Sequence, residues 1–215
     1  MKFSFKNDYS EGCHPKILEA LSQYNLDQQN GYGLDIYSEN AANIIREKSK
    51  SPESKVHLVS GGTQANLIVI SSILRPHESV VSANTGHIFT NETGAIEATG
   101  HKVHGVETKD GKLRPEDIQN VLDVHTNVPH QVKQKLVYIS NSTEVGTIYT
   151  KKELDNLSEF CKKKNLYLFM DGARLGHALT AKSNDVTWED IARLTDADYL
   201  GGTKNGALIG EAIVI

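Results

Sequence analysis

From residue 56 onward the chain alternates short apolar runs with longer amphipathic segments, and this alternation constrains the fold more than any other feature. Strand-length runs fall at residues 56–59, 79–82, 102–106, 136–140, 167–170, 197–200 and 207–215. Helix-length segments lie between them at 63–74, 92–99, 114–124, 151–163 and 188–194, with Pro115 suited to a first helical turn and Thr150 to an N-cap. The run at 56–59 is expected to be a short buried strand. Strands this short and this apolar must bury both faces. That requirement selects an α/β fold: a mainly parallel sheet covered by helices on both sides. In such sheets ligands bind beyond the carboxyl ends of the strands, so the polar residues that follow each run are the first functional candidates.

The first 55 residues follow a different pattern. Residues 1–14 are irregular. A helix is expected over 15–24, with Ile17, Leu18 and Leu21 on one face, and another over 38–48, with Ala41, Ile44 and Ile45 inward. Between them, residues 28–35 hold too many turn formers for regular structure. The chain therefore divides into an N-terminal segment, 1–55, able to reach a neighbouring subunit, and a main domain, 56–215. With 215 residues it is long enough to bury a sizeable core.

Charge and cysteine content narrow the function classes. The 23 basic and 27 acidic residues give a net charge of −4, and the lysines are scattered apart from Lys162-Lys163-Lys164 at a helix end, so a nucleic-acid partner is not expected. Cys13 and Cys161 stand far apart and outside any CxxC pattern, which fits a reducing compartment. The apolar stretch 67–74 is broken by two serines and too short to span a bilayer, and the N-terminus carries no signal-peptide core. A cytoplasmic protein without membrane contact is expected.

Four strand ends carry chemistry. Ser60-Gly61-Gly62-Thr63-Gln64 joins a strand to a helix, where glycines let an anion approach the free N–H groups of the first turn; the competing reading makes Thr63 a plain helix cap. The pattern is neither GxGxxG nor a Walker loop, which argues against a Rossmann-type nucleotide module. His87 follows the next strand and could stack on a flat ring or shuttle a proton, or be a surface imidazole. There is no HExxH, and the pairs His101/His104 and His125/His130 lack a third ligand, so no metal site is expected. Asp171 ends an apolar strand with Arg174 three residues later, a pair able to meet a protonated ring nitrogen and an oxyanion, or one another as a structural ion pair.

The fourth is Lys204, in Gly201-Gly202-Thr203-Lys204-Asn205-Gly206, which alone could be a solvated turn lysine. Taken in chain order, the four provide an anion cradle, a stacking face, a ring-nitrogen carboxylate and a Schiff-base amine. Pyridoxal 5'-phosphate requires this set.

Asn7 to Pro15, Tyr32-Gly33-Leu34-Asp35, Ser60 to Asn66, Thr143-Glu144-Val145-Gly146-Thr147, Met170 to Arg174 and Gly201 to Gly206 together resemble the low-specificity L-threonine aldolases of the β-eliminating lyase group, over essentially the whole chain. The resemblance implies a fold-type I pyridoxal-phosphate enzyme. It assigns Lys204 the Schiff base, Asp171 the pyridine nitrogen, Gly62 and Thr63 the phosphate, and His87 ring stacking and proton transfer. Arg174 is implied to meet the cofactor's phenolic oxygen or the substrate carboxylate. Asn7 joins the substrate-binding set, and Tyr32 reaches toward a neighbouring subunit's site. The implied reaction cleaves L-threonine or related β-hydroxy-α-amino acids to glycine and an aldehyde, in a homodimer or homotetramer. One branch of the group has a histidine where this chain reads Ser142-Thr143-Glu144, which leaves the base open. Members of the group continue into a C-terminal small domain, and this chain is expected to lack it. Other fold-type I reactions, such as β-elimination or transamination, and an inactive remnant that keeps the fold remain as alternatives.

Overall fold

The computed structural model describes residues 4–215; the part of the expected N-terminal segment at residues 1–3 lies outside the described residues. Seven strands form one sheet: β1 (Val56–Val59), β2 (Glu78–Ala83), β3 (Lys102–Val106), β4 (Lys133–Ser140), β5 (Tyr167–Gly172), β6 (Ala197–Gly201) and β7 (Glu211–Val214), in the spatial order β1-β7-β6-β5-β4-β2-β3. The pairs β2/β3, β2/β4, β4/β5 and β5/β6 are parallel, and β7 runs antiparallel to both of its neighbours. The sheet is thus mainly parallel, as its short apolar strands require.

The two-residue period of the central strands separates two apolar layers. Val137 and Ile139 of β4, with Leu168 and Met170 of β5, pack against α6 (Pro115–Val124), α7 (Lys151–Lys164) and α9 (Trp188–Leu194) through Ile118, Leu154, Leu157 and Ile191. Leu136, Tyr138 and Phe169, with Tyr199 of β6, pack on the other side against α3 (Gly62–Ile73) through Ala65, Val69 and Ile70. Each fully buried leucine or isoleucine contributes roughly 1.5–3 kcal/mol relative to exposure. Asp171 shares the alternation of Phe169 and therefore points toward α3, the side on which Tyr138 and Tyr199 lie. This parity positions the centre of the site.

Local chemistry explains the helix boundaries. In α7 the Thr150 hydroxyl accepts the Glu153 amide at 3.3 Å while the Glu153 carboxylate accepts the Thr150 amide at 2.8 Å, a reciprocal cap. The helix ends on Asn165 in the left-handed conformation, φ 55°, with Lys162, Lys163 and Lys164 beside its negative pole. In α6, Pro115 occupies the first turn.

Several sequence expectations need correction. β1 is not a core strand but an edge strand, with β7 as its one neighbour in the sheet, and its Leu58 is 49% exposed. The helix expected over 92–99 is only one turn, α5 (Ala95–Ala98), since Thr93 and Gly94 take left-handed backbone, φ 50° and 76°, and an unforeseen short helix, α4 (His87–Thr90), precedes it. The strand expected over 207–215 begins only at Glu211, after Gly206, Leu208 and Gly210 at φ 83°, 75° and 108°. An unforeseen helix, α8 (Leu175–Thr180), follows Arg174; its Gly176 lowers helix propensity, yet a Cβ there would lie 2.5 Å from Asn205 Oδ1, in the loop that carries Lys204.

The N-terminal helices α1 (Pro15–Tyr24) and α2 (Ile36–Ser49) match expectation in type and place. α2 buries Ala42 and Ile45, whereas Ile44 is 53% exposed and Ala41 is half-buried. α1 buries no residue, and its Leu18 and Leu21 face solvent. Among the described residues no helix is long and apolar enough to cross a membrane.

Candidate active site

The carboxyl ends of the parallel strands converge on a cavity of about 400 Å³. Ser60 to Thr63 enter it after β1, His87 after β2, Ser140 and Glu144 around the end of β4, Asp171 and Arg174 at the end of β5, and Lys204 after β6. Six residues singled out from sequence, Gly62, Thr63, His87, Asp171, Arg174 and Lys204, thus line one cavity. Two do not: Asn7 stays on the N-terminal segment, where its side-chain Oδ1 accepts from the Tyr9 amide and the Ser10 hydroxyl, and Tyr32 is fully exposed on a separate groove beside β1.

Asp171 forms the floor. Its Oδ1 accepts from the Tyr199 hydroxyl at 2.6 Å and the Ala173 amide at 2.9 Å; its Oδ2 accepts from the Tyr138 hydroxyl and from Asn66 Nδ2 at 3.3 Å. The carboxylate is 4% exposed, and four donors fix its orientation at a depth where an unpaired charge would be prohibitive. Burial, reinforced by the Asp171 charge, raises the Tyr138 and Tyr199 phenols well above their ordinary range, so both remain donors.

A second chain of contacts orients His87. Its Nδ1 pairs with Glu92 Oε1 at 2.7 Å, and that oxygen also accepts from Asn66 Nδ2 at 2.7 Å, so one amide joins the imidazole's partner to Asp171. The Glu92 hydrogen bond raises the His87 pKa against the opposing effect of burial. The His87 amide donates to Glu144 Oε1 at 3.0 Å, which also accepts from Ser140 Oγ at 2.7 Å; burial raises the Glu144 carboxyl.

At the cavity's anion end, α3 begins at Gly62, after Gly61 as N-cap. No side chain caps it, so Thr63 lies inside the first turn and is not the cap. A Cβ on Gly62 would lie 2.8 Å from the Tyr199 hydroxyl, so glycine lets this turn sit against the tyrosine that holds Asp171.

Opposite, Lys204 lies in a 3-10 turn, Thr203–Asn205, with Nζ 5.6 Å from the Tyr9 ring centroid. Arg174 is already engaged: its Nε and Nη2 donate to the two Asp8 oxygens, the second at 3.0 Å. That hydrogen bonding holds the Asp8 carboxyl below its usual range and raises Arg174. Tyr9 and Asp8 thereby bring the N-terminal segment over the cavity mouth.

Sequence reading did not single out Asn66, Glu92, Tyr138, Tyr199 and Glu211. For Asn66, Tyr138, Tyr199 and Glu211 the signal was faint but present, since each is a polar side chain on a buried face of a helix or strand; Glu92 sits in a polar connection between α4 and α5 and carries no such signal.

Comparison with known proteins then places the chain among relatives. The profile described as Beta-eliminating lyase matches residues 10–215. The chain is 32% identical to the low specificity L-threonine aldolase of Pseudomonas aeruginosa, over 98% of this chain and 61% of that protein. A Leishmania major threonine aldolase structure superposes with a TM-score of 0.98 at 54% identity, covering all of this chain and 62% of that one. A Thermus thermophilus aspartate aminotransferase, at 20% identity and TM-score 0.73, covers 94% of this chain and 54% of its own, and shares the fold. The chain therefore spans about three-fifths of the length of the aldolases it matches.

Proposed function

The chain belongs to the β-eliminating lyase family, and from that premise we propose that its strand-end cavity holds pyridoxal 5'-phosphate and cleaves L-threonine or related β-hydroxy-α-amino acids to glycine and an aldehyde. The observation that carries this reading is the presence of Lys204 and the buried carboxylate of Asp171 in one cavity, with an uncapped helix N-terminus opening into it. The residues fit the cofactor. The first-turn amides of α3 and its dipole favour a phosphate beside Gly62 and Thr63, and His87 offers an imidazole face at the cavity wall. Asp171 offers the ring nitrogen a carboxylate that cannot turn away. When bound, the cofactor supplies an electron sink for charge left on the substrate's α-carbon.

The remaining work falls to side chains. Lys204 would supply the amine that holds the cofactor in the cavity. Asp171 holds a proton on the ring nitrogen. His87, with Nδ1 held by Glu92, and Glu144 are the groups the cavity offers to take the proton of the β-hydroxyl. Arg174 binds the substrate carboxylate by sharing or replacing its contact with Asp8. Incubation with L-threonine and the cofactor is expected to release glycine and acetaldehyde in equal amounts. Release of a 2-oxo acid and ammonia would instead assign an elimination to the same cavity.

The exposed Leu18 and Leu21 of α1, and Tyr32 on the neighbouring loop, support a homodimer or homotetramer in which the N-terminal segment lies at the subunit interface. In that arrangement Tyr32 and Asn7 serve a site shared with a second copy. Light scattering is expected to give at least twice the 23.7 kDa chain mass; a strictly monomeric mass would contradict the assembly.

A further inference from the structure

β7 reads Glu211-Ala212-Ile213-Val214, and all four residues are buried. A carboxylate at the head of an apolar strand carries a desolvation penalty that a neutral residue would avoid, and burial indeed raises the Glu211 pKa. Its environment accounts for its presence there. The β6/β7 pairing sets Gly201 opposite Glu211, so the side chain enters the cavity beneath the loop that leaves β6. There Oε2 accepts from the Gly202 amide at 2.6 Å and Oε1 from the Thr203 hydroxyl at 2.7 Å. One carboxylate therefore grips the two residues immediately before Lys204.

The rest of the loop is held by other groups. Asn205 Nδ2 donates to Gly201 O at 2.8 Å and to Ala173 O at 3.2 Å. Gly206, at φ 83°, closes the turn, and its carbonyl accepts from the His14 amide at 3.0 Å. These contacts fix the loop after Lys204, and Glu211 alone fixes it from the side chain of Thr203. The Gly202 amide also reaches Gly210 O at 3.0 Å, and Thr203 is half-buried. Removing the carboxylate thus strands no fully buried donor. As a staple for the fold Glu211 is nearly dispensable, and its specific effect falls on the direction of the Lys204 side chain.

We propose that Glu211 is a positioning residue for Lys204: by holding Gly202 and Thr203 it aims the lysine amine into the cavity for attack on the cofactor aldehyde. The proposal rests on the reading of Lys204 as the cofactor lysine. In that step the Lys204 amine adds to the aldehyde carbon and water leaves; borohydride then delivers hydride to the resulting C=N carbon while the nitrogen takes a proton, locking the adduct as a secondary amine. Misdirection of a reacting amine by about 1 Å is worth up to on the order of a hundredfold in rate.

The test is the rate at which pyridoxal phosphate, added to apoprotein and quenched with borohydride at timed intervals, becomes fixed to the Lys204 peptide by mass spectrometry, with thermal melting recorded in parallel. Glu211→Ala is expected to slow capture by on the order of tenfold while melting stays close to that of the native chain. Glu211→Gln, which keeps an acceptor, is expected to recover most of the rate. Thr203→Val, which removes the hydroxyl half of the grip, is expected to slow capture as well and covers the case in which Glu211→Ala fails to fold. Native capture at Lys204 with unchanged rates in Glu211→Ala, or in Thr203→Val where the alanine variant does not fold, would overturn the proposal and leave the functional reading intact. If the native chain captures nothing at Lys204, the functional reading itself fails.

Discussion

Replacing Lys204 by alanine is expected to abolish both the cofactor's lysine-bound absorbance and aldol cleavage, while leaving the fold intact. The side chain is half-buried, and its contact within the described residues is with the Tyr9 ring at the cavity mouth. Its removal therefore opens no core cavity and strands no buried partner, and stability should change by less than about 1 kcal/mol. If Lys204 is the cofactor lysine as proposed, loss of the amine removes the covalent route by which the cofactor would be anchored, so cleavage should fall by roughly three orders of magnitude or more. Titrating native and variant chains with pyridoxal phosphate, then assaying acetaldehyde, reads both effects. Retention of the absorbance band and of near-native cleavage in Lys204→Ala would remove the lysine from the mechanism.

Replacing Asp171 should damage the fold as well as the chemistry. The carboxylate accepts two tyrosine hydroxyls, an asparagine amide and a backbone amide, and Tyr138 and Tyr199 are each 1% exposed. Asp171→Ala leaves those hydroxyls without an acceptor in a dry layer, and each orphaned buried donor costs about 1–3 kcal/mol. A total loss of roughly 3–5 kcal/mol is expected from breaking this network, readable as a lower denaturant midpoint at unchanged slope. Asp171→Asn keeps the volume but sets an amide donor against a phenol donor and removes the charge offered to a ring nitrogen. Its cofactor affinity and cleavage should fall more than its stability does. A normal denaturation midpoint for Asp171→Ala would show that the tyrosine pair finds other partners and that the floor of the site is not organised around this residue.

The two substitutions separate roles that the sequence presented together. The placement of Lys204, His87 and Asp171 in one cavity was legible because each lies at the end of or after an apolar strand run, where an α/β sheet exposes its binding edge, and because each has a glycine within two residues. The sheet was legible for the same reason: strands such as 136–140 and 167–170 are too apolar to face water on either side. What could not be read was which residues supported them. Asn66 meets Asp171 across 105 positions of sequence, and no local pattern announces that an asparagine in the second turn of α3 will bridge Glu92 to a strand-end carboxylate. Tyr138 and Tyr199 read as ordinary aromatic strand residues until the two-residue period places them on the Asp171 side of the sheet.

Boundary errors have equally local causes. The left-handed pair Thr93-Gly94 delays to Ala95 a helix that the residue pattern alone starts at Glu92, and the glycine-punctuated stretch 206–210 postpones β7 to Glu211. β1 reads as a core strand from composition, yet it ends the sheet with β7 as its one neighbour, a placement that depends on long-range strand order. Arg174 illustrates a different gap. Its position near Asp171 was foreseen, but its partner is neither Asp171 nor a free oxyanion: it is Asp8, 166 residues away on the N-terminal segment.

The identity of the amine proposed to carry the cofactor is read directly by the native arm of the borohydride experiment. Apoprotein saturated with pyridoxal phosphate, reduced, digested and mapped by mass spectrometry is expected to carry the phosphopyridoxyl group on the peptide containing Lys204, at close to one group per chain. A group distributed over surface lysines, or fixed at any single residue other than Lys204, would contradict it.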